Sequence, residues 1–577
     1  MITRKERHLL KSLLQLETRA NRVSLPRSDA LDIAADLYEG LDTPTSLGLF
    51  LCIRHGDLVS VVNHEIDPNK YNSVDEFRRS YQAVSFLRKM QYSIDGLDPR
   101  TTALDSFHES EAMCAETNYR LRKHRSGEYN FPPRIHTVLH YMTRDIAAIL
   151  GGFDPVTWML SCQFGPGAAF GSPGSSAYDK MGAKPHVTAS FAHLGAALIN
   201  MSPAWVDAIF AQATCPTDGR SNDYRSSVTE SDLIIVPGGK YCQVPKSAKT
   251  NRNIEVQPNM NAYAQMGIGR MIRQKLKLAG LDLRTQQDRN RSAAERGSRR
   301  GHLATIDLSS ASDTIAYELV LELLPSRWFY AMDVCRTTHI IMDDDSRPLA
   351  LNRFSSMGNG YTFELESLIF WALVRACRRV VDCNDEYHVF GDDIICSTKA
   401  AALVMEVLPY LGFKANAKKS YLHGAFRESC GKDYFLGANV RPYFYKKGDD
   451  NSDLQAIISL ANGLRRAAWR SNNHYGCCSR FRRAWVHCLQ RVPRDIRRIL
   501  TGPWSDEDRW FISESDEWLG NPAIFKDRYS WSLKMPSLEK RSQDKTISSY
   551  PQARAAMLYN LERASLTWVV GPAYGIV

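Results

Sequence analysis

The sequence predicts an α+β fold in which an antiparallel sheet carries carboxylates at the ends of its central strands. Two apolar runs, 303–306 and 389–396, have the composition of buried strands, and aspartate ends the first and interrupts the second. Apolar residues recur at helical intervals over 365–380 and 401–411. From 303 to 420 the predicted order is therefore strand, helix, helix, hairpin, helix and strand.

The second apolar run centres on a Gly-Asp-Asp sequence and predicts a β-hairpin. Gly391 can adopt backbone angles that other residues resist, which suits the turn. Asp392 and Asp393 are adjacent, have no Lys or Arg beside them in the sequence, and would repel each other. A hard cation such as Mg²⁺ or Mn²⁺ would remove that repulsion. The alternative is an ordinary surface turn between two strands.

Asp307 directly follows the apolar run 303–306 and is the second predicted acidic position. A carboxylate at the end of a buried strand is costly unless it has a partner. Asp313, six residues later, precedes a predicted helix and could equally be its cap. If Asp307 converges with Asp392 and Asp393, the three would hold two divalent ions about 3.5–4 Å apart, an arrangement that supports nucleotidyl transfer.

Positive charge is concentrated between residues 240 and 300. This segment holds fourteen Lys and Arg against four Asp and Glu, and its excess of ten equals the net charge of the whole 577-residue chain. Lys246, Lys249 and Arg252 recur at every third residue and could present several cations to one phosphate-bearing ligand. Such an excess favours a polyanionic partner, with a solvated basic face as the alternative.

A second basic segment, 463–500, contains ten arginines and one acidic residue, with Trp469 and Trp485 among them. Basic side chains interleaved with aromatic rings can follow a nucleic-acid strand and stack on its bases. Two alternatives stay open. The arginines could pack against an acidic partner chain, or the acidic stretch 506–517 of the same chain could balance them.

The thirteen cysteines are odd in number and show no CxxC spacing. The sequence shows no secretory signal and no apolar run of the roughly 18 residues that a membrane span needs. We therefore expect a protein of the reducing cytoplasm, with free thiols and no membrane contact. A cluster of imidazole and thiol side chains fits no common zinc template. Its members are His474, Cys477, Cys478, His487 and Cys488.

Basic segments, a phosphate-binding strand and an acidic metal pocket together are typical of a template-directed polymerase. One cation would lower the pKa of the attacking hydroxyl, and the other would hold the triphosphate and stabilise the leaving pyrophosphate. The Lys and Arg side chains of 246–252 would neutralise the charge of the triphosphate.

Five stretches between Val244 and Lys432 carry a family resemblance. They are VPKSAKTNR, ATIDLSSASDT, SSMGNGYTFELESLIF, FGDDII and FRESCGK. In this order they resemble the palm motifs of RNA-directed RNA polymerases, and more narrowly the replicase catalytic (beta) subunits of levivirus-type single-stranded RNA bacteriophages. The resemblance covers residues 100–440 well. It implies a right-hand polymerase fold with fingers, an antiparallel-sheet palm and a mainly helical thumb.

The resemblance also implies three regions along the chain. Residues 1–292 would form the N-terminal region and the fingers with the basic nucleotide-triphosphate strand, and 293–425 the catalytic palm. Residues 426–577 would form the end of the palm and the basic, helical thumb. Phe390 stands before the glycine of the hairpin, where the family commonly has Tyr, and we expect its ring to pack beside the acids.

Specific site residues follow from the resemblance. Asp307, Asp392 and Asp393 would bind two Mg²⁺ ions, for which Mn²⁺ can substitute. Lys418 or Lys419 would donate a proton to the pyrophosphate. The implied nucleotide-binding residues are Lys246, Lys249, Arg252, Asp313, Ser355 and Asn359. The first three would contact the triphosphate, and the last three would lie near the ribose, where hydrogen bonds to the 2′-hydroxyl select RNA precursors.

The implied function is template-directed RNA synthesis from ribonucleoside triphosphates on a single-stranded RNA phage genome, in the cytoplasm of the bacterial host. The implied partners are the RNA template and product, the host elongation factors Tu and Ts, and a small-subunit ribosomal protein. The alternatives are a reverse transcriptase of the same fold and a noncatalytic RNA-binding protein. Gly391 and the polar Asp313 and Asn359 argue against the first, and the second leaves the three acids unexplained.

Overall fold

The computed structural model describes residues 22–172, 177–213, 227–343, 347–447, 453–472, 478–502, 504–513, 523–526 and 531–534. Its α-helices are α1 (Arg27–Leu41), α2 (Pro44–Arg54), α3 (Leu58–Asn63), α4 (Val74–Phe86), α5 (Pro99–Arg125), α6 (Pro133–Leu150), α7 (Pro155–Ser161), α8 (Ala177–Gly182), α9 (Ala192–Asn200), α10 (Pro203–Ala213), α11 (Asn259–Leu278), α12 (Gln286–Arg300), α13 (Tyr317–Leu323), α14 (Ser326–Cys335), α15 (Thr362–Val380), α16 (Thr398–Val407), α17 (Asp453–Asn472), α18 (Ser479–Gln490) and α19 (Arg494–Ile499).

Short strands lie between these helices. They are β1 (His186–Thr188), β2 (Ile234–Val236), β3 (Gly239–Pro245), β4 (Asn251–Val256), β5 (Leu303–Ile306), β6 (Leu308–Ser309), β7 (His339–Ile341), β8 (Leu349–Ala350), β9 (His388–Phe390), β10 (Asp393–Ser397), β11 (Lys414–Ala415), β12 (Phe426–Ser429), β13 (Lys432–Phe435), β14 (Ala438–Asn439), β15 (Thr501–Gly502), β16 (Phe511–Ile512), β17 (Ala523–Lys526) and β18 (Trp531–Lys534).

The sheet that carries the predicted acids has the strand order β5–β10–β9, and both pairings are antiparallel. Ile394 lies opposite Ile306, and Asp393 lies opposite Phe390 across the hairpin. All four residues of β5 are buried, which explains why its sequence is apolar throughout rather than alternating. Helix α12 packs on this sheet through Ala293 and Ala294.

Two large hydrophobic cores hold the chain together. The larger contains the sheet, α6, α11 and the buried face of α15. The second joins the N-terminal helices α1 and α4 to α17 and α18 near the other end of the chain. Ionic contacts follow the same interface, for example Arg483 with Glu39 at 2.5 Å. Helix α1 thus shares a core with helices that begin more than 400 residues further along the chain.

The predicted α+β class with an antiparallel, acid-bearing sheet is confirmed. The predicted helix after Asp313 begins at Tyr317, because residues 311–314 form a 3₁₀ turn first. The predicted final strand is short: Lys414–Ala415 pairs with Leu308–Ser309 and does not extend the acid-bearing sheet. The three-region division at 292 and 425 stays a prediction.

Two expectations from composition can be compared with the structure, for the residues that it describes. No helix among them is long and apolar enough to cross a membrane. Each cysteine that the structure describes is free of disulfide bonds.

Candidate active site

The Gly-Asp-Asp turn joins β9 to β10, and helix α15 supports it. Gly391 has a φ of +59°, and a Cβ at this position would lie 2.7 Å from the ring of Phe363. The N–H of Gly391 donates a 3.0 Å hydrogen bond to Oγ of Ser367. Phe390 packs edge-to-face on Phe363, with ring centroids 4.8 Å apart, as expected for the aromatic residue before the glycine. Conformation and space therefore both require glycine at this turn.

The three predicted aspartates lie at the same end of the sheet. Ile306, the last residue of β5, pairs with Ile394 of β10. Because the two strands are antiparallel, Asp307, which follows Ile306, lies beside Asp393, which precedes Ile394. Asp392 occupies the turn itself. This juxtaposition was the central expectation from the sequence, because Asp307 lies 85 positions before the adjacent pair Asp392 and Asp393.

Burial raises the pKa of all three carboxyls, and the charge of Asp392 adds to the effect on the other two. Burial raises the pKa of Asp307 to about 6, reinforced by the charge of Asp392 and opposed by Lys419. Burial also raises the pKa of Asp393 to about 6, against a hydrogen bond from the N–H of Cys430. The pKa of Asp392 is raised by burial as well. A cation bound among these carboxylates would therefore relieve an electrostatic cost.

Hydrogen bonds hold the two outer carboxylates in place. Oδ2 of Asp307 accepts from the Asn416 side chain at 3.1 Å. Oδ1 of Asp393 accepts from the hydroxyl of Ser429 and the N–H of Cys430, both at 3.1 Å. Among the described residues, no three carboxylate, imidazole or thiol side chains are grouped closely enough to form a ready-made metal cage. The donor chemistry of the three carboxylates nevertheless fits a hard cation.

The structure separates the two candidate proton donors. Nζ of Lys419 lies 3.6 Å from Oδ2 of Asp307 and faces the acids. Lys418 instead forms an ion pair with Glu65 and its side chain is 68% exposed. Of the two lysines, Lys419 is the one that the fold directs into the acidic site.

The predicted phosphate-binding residues belong to the β3–β4 hairpin. Lys246 and Lys249 lie in the loop between the strands, and Arg252 follows on β4 opposite Val244. Lys246 is within electrostatic range of Asp307 and Asp392. The hairpin therefore directs Lys246 and Arg252 toward the acidic end of the sheet, whereas Lys249 lies beside Glu65 and Lys418.

Of the three predicted ribose-binding residues, Asp313 binds a buried arginine. Arg353 binds Asp313 at 2.6 Å and also pairs with Glu111 of α5, while its own side chain is only 1% exposed. Ser355, two residues further on, is buried, and its hydroxyl has no hydrogen-bond partner among the described residues. Oδ1 of Asn359 accepts the N–H of Ser356 at 3.1 Å. Asp313 is thus held by an ion pair and does not cap the following helix.

Comparison with known proteins decides the family. Residues 27–550 match a model of the family described as RNA replicase, beta-chain. The chain belongs to this family. It is 35% identical over 507 residues to the RNA-directed RNA polymerase subunit beta of Qbeta virus (strain MX1), covering 85% of this chain and 80% of that protein. With the beta chain of Enterobacteria phage fr it shares 32% identity over 491 residues, covering 83% of each.

A more similar but shorter match is the RNA-directed RNA polymerase beta chain of Escherichia phage MS2, 41% identical over 264 residues, 45% of this chain and 47% of that one. Among solved structures, the BmCPV RNA-dependent RNA polymerase at elongation state matches with a TM-score of 0.36 and 11% identity, over 63% of this chain and 34% of that one. Membership of the replicase family confirms the predicted enzyme class, an RNA-directed RNA polymerase with an α+β polymerase fold.

Two side chains of the replicase site were missed from the sequence. Glu366 on α15 is 4% exposed, and its Oε1 has no hydrogen-bond partner among the described residues. Burial raises its pKa to about 8, and the nearby charge of Asp392 adds to the effect. Ser367 supports the turn, as described above. The available signal was a Glu-Ser pair on the otherwise apolar face of α15.

At least four of the ten arginines of 463–500 form ion pairs within the replicase chain. Arg466 binds Asp508 at 2.8 Å, so one member of the acidic stretch 506–517 does contribute. Most of the ion pairs of this segment involve N-terminal acids instead, and these pairs are Arg480–Asp75, Arg483–Asp36, Arg483–Glu39 and Arg491–Asp29. Trp485 is covered by Arg465 at 5.1 Å from its ring centroid. Intramolecular pairing therefore accounts for several of the charges that suggested a partner.

The predicted cluster of imidazole and thiol groups falls partly outside the described residues, which exclude His474 and Cys477. Of the remainder, His487 lies 2.8 Å from Asp36 and Cys488 is buried in the second core. These contacts give both residues a structural partner.

Proposed function

We propose that this replicase chain synthesises RNA from ribonucleoside triphosphates, directed by a single-stranded RNA phage genome, through a two-metal-ion mechanism. The observation that carries the proposal is the position of Asp307, Asp392 and Asp393 at one end of the sheet, facing Lys246 and Lys419. Buried carboxylates that repel one another next to a row of cations match the needs of a triphosphate with its metal ions.

Asp307, Asp392 and Asp393 are the residues that would hold two Mg²⁺ ions, for which Mn²⁺ can substitute. When bound, such ions activate the attacking 3′-hydroxyl and neutralise the leaving pyrophosphate. Burial raises the pKa of Asp307 and of Asp393 to about 6, so their ionised forms are unfavourable without a bound cation, which supports this assignment.

The remaining steps belong to side chains of the chain itself. Lys246, Lys249 and Arg252 bind and orient the triphosphate through the β3–β4 hairpin. Lys419 donates a proton to the pyrophosphate, since it faces Asp307 while Lys418 is paired with Glu65. General acid catalysis of this kind contributes typically 10²- to 10⁴-fold.

Ribose selection is assigned to the pocket around Arg353. The 2′-hydroxyl of the incoming nucleotide forms hydrogen bonds with Asp313, Ser355 and Asn359. The buried, unpartnered hydroxyl of Ser355 supports this role, because a buried polar group without a partner is costly and a ligand would satisfy it.

The proposed assembly contains the RNA template and product together with host proteins. Several relatives carry the name subunit beta, which supports a replicase of more than one chain. We assign the other places to the elongation factors Tu and Ts and a small-subunit ribosomal protein, in the bacterial cytoplasm. Affinity purification of the tagged chain from infected cells, followed by mass spectrometry, tests this composition.

The polymerase mechanism is tested with Asp392→Asn in the full replicase. We expect the variant to lose Mg²⁺-dependent RNA synthesis and to bind fewer Mn²⁺ ions in an electron paramagnetic resonance titration, with unchanged affinity for RNA. Asp288→Asn, an exposed carboxylate paired with Arg291, serves as the control. Full activity of Asp392→Asn would remove it from the site. Equal incorporation of deoxyribonucleotides by the wild type would favour a reverse transcriptase instead.

A further inference from the structure

One short N-terminal segment lies directly beside the predicted phosphate-binding loop. Residues 87–92 follow α4 and run alongside the loop of the β3–β4 hairpin. The N–H of Ala248 donates a 2.7 Å hydrogen bond to the carbonyl of Met90, and the Gln91 side chain reaches the carbonyl of Pro245 at 3.4 Å. Ala248 and Met90 are both buried in the second core. This segment is therefore fixed directly against the predicted phosphate-binding loop.

Arg88 and Lys89 project from this segment into a surface that is already basic. Arg88 lies within electrostatic range of Lys249 and Lys419. Lys89 lies within range of Lys419 and Lys446, with Glu428 as the nearby acid. Both side chains are half-buried. Nζ of Lys89 also sits 4.1 Å above the ring of Phe444, which fixes its position.

The acids near this surface already have partners. Glu65 pairs with Lys418, and Glu428 and Asp433 both pair with Arg441. In the described part of the chain, several cations of this surface form no ion pair. They are Arg88, Lys89, Lys246, Lys249, Arg252 and Lys446. Holding so many like charges together is unfavourable without an anion to bind.

We propose that Arg88 and Lys89 form the outer part of a triphosphate-binding surface, which receives the incoming nucleotide before Lys246 and Arg252 bring it to the aspartates. A triphosphate fits this surface because the β3–β4 hairpin connects it to the acids: Lys249 lies within electrostatic range of Arg88, and Lys246 and Arg252 lie within range of Asp392. The segment also explains why the phosphate-binding loop is anchored to the N-terminal part of the chain. This inference rests on the proposed nucleotide-polymerising function.

The test uses Arg88→Gln and Lys89→Gln in the full replicase, with Arg134→Gln as a control for loss of an exposed cation on α6. We expect KM to rise roughly 5- to 10-fold for all four nucleotides, equivalent to about 1–1.4 kcal/mol, with kcat within twofold of the wild type. Arg88→Lys and Lys89→Arg, which keep the charge, should recover most of the loss. Thermal unfolding of each variant verifies that it is folded.

A second measurement distinguishes phosphate binding from RNA binding. Inorganic tripolyphosphate should displace a fluorescent nucleotide from the wild type, and 5- to 10-fold more of it should be needed with either Gln variant. Affinity for template RNA should be unchanged. An unaltered KM, or weaker RNA binding with an unaltered tripolyphosphate midpoint, overturns the inference while leaving the polymerase function intact. Absence of RNA synthesis by the wild type would instead remove the proposed function.

Discussion

The hydroxyl of Ser367 accepts the backbone N–H of Gly391 at 3.0 Å and so ties helix α15 to the turn that carries two of the three aspartates. The same hydroxyl donates to the carbonyl of Phe363, one helical turn earlier, at 2.8 Å. The turn is consequently positioned by a helix and not only by its own strands. The geometry of Asp392 and Asp393 depends on this connection.

Ser367→Ala should lower kcat by roughly 2- to 10-fold, since one buried hydrogen bond contributes about 0.5–1.5 kcal/mol. Steady-state RNA synthesis should show little change in KM, because no nucleotide contact is removed. Ser110→Ala on α5 is the matched control. The Ser110 hydroxyl also donates to the carbonyl one helical turn earlier, that of Ser106, at 2.9 Å, but it does not contact the Gly-Asp-Asp turn. Equal effects of the two substitutions would refute a positioning role for Ser367.

Gly391→Ala should destabilise the chain and abolish most of its activity. The left-handed φ alone costs about 1–2 kcal/mol for a residue with a Cβ, and displacing the Phe363 ring adds roughly 1–3 kcal/mol. Gly56→Ala isolates the first effect, because Gly56 has a φ of +75° with nothing within 4 Å of its added Cβ. Denaturant titration of both variants measures the difference, and similar losses would show that the ring contact is unimportant.

Lys419→Ala should reduce kcat by about 10²-fold or more, as expected for loss of a general acid, whereas Lys418→Ala should change it far less. Lys419 faces Asp307, while Lys418 is ion-paired with Glu65. Single-nucleotide incorporation in a rapid-quench instrument provides the measurement. A stronger effect of Lys418→Ala would reverse the assignment.

Glu366→Gln should flatten the dependence of stability on pH. The pKa of Glu366 is raised from 4.5 to about 8 in the folded chain, so the folded state retains a proton that the unfolded state has lost. Between these values this group makes the free energy of unfolding fall as pH rises, by at most about 1.4 kcal/mol per pH unit. The glutamine variant lacks this term and should gain stability over the wild type as pH increases from 5 to 8.

The measurement for Glu366 is denaturant unfolding across that pH range without divalent cations, since metal binding nearby would alter the titration. Glu406→Gln, an exposed carboxylate paired with Arg134, is the surface control. Parallel pH profiles for wild type and Glu366→Gln would show that the Glu366 carboxyl ionises normally.

Arg353→Met should be strongly destabilising, because it leaves Glu111 and Asp313 as buried carboxylates without their shared partner. Breaking a buried ion pair in this way costs about 3–5 kcal/mol. Thermal unfolding should show the loss, and Arg134→Met, which breaks an exposed pair, should show almost none. If the triple variant with Glu111→Gln and Asp313→Asn recovers stability, the unpaired charges are the cause. No recovery would mean that the packing of Arg353 dominates.

The local parts of the site could be predicted from the sequence because local composition determines them. Four consecutive apolar residues predict the buried strand 303–306, and the Gly-Asp-Asp turn between apolar residues predicts the hairpin. A carboxylate at the end of a buried strand is energetically costly without a partner, and that argument singled out Asp307. The long apolar periodicity of α15 was equally clear.

Contacts between distant segments could not be predicted in this way. Nothing in the sequence around Arg353 indicates that it pairs with Glu111, 242 residues earlier, and with Asp313, 40 residues earlier. Arg88 and Lys89 look like an ordinary solvated pair until the fold places them against the β3–β4 loop. Such features arise from tertiary packing, and single-sequence patterns report only on neighbours along the chain.

The shared core of α1, α4, α17 and α18 has a consequence for biosynthesis. A ribosome emits α1 early, but the helices that cover its apolar face emerge only after more than 400 further residues have been translated. This second core therefore cannot be completed until residues 453–490 have been translated, and its apolar residues stay accessible to chaperones and proteases until then. Because residues 87–92 are anchored in that core beside the β3–β4 loop, a chain terminated before α17 and α18 lacks the support for this part of the site, and polymerase activity thereby depends on synthesis of those two helices.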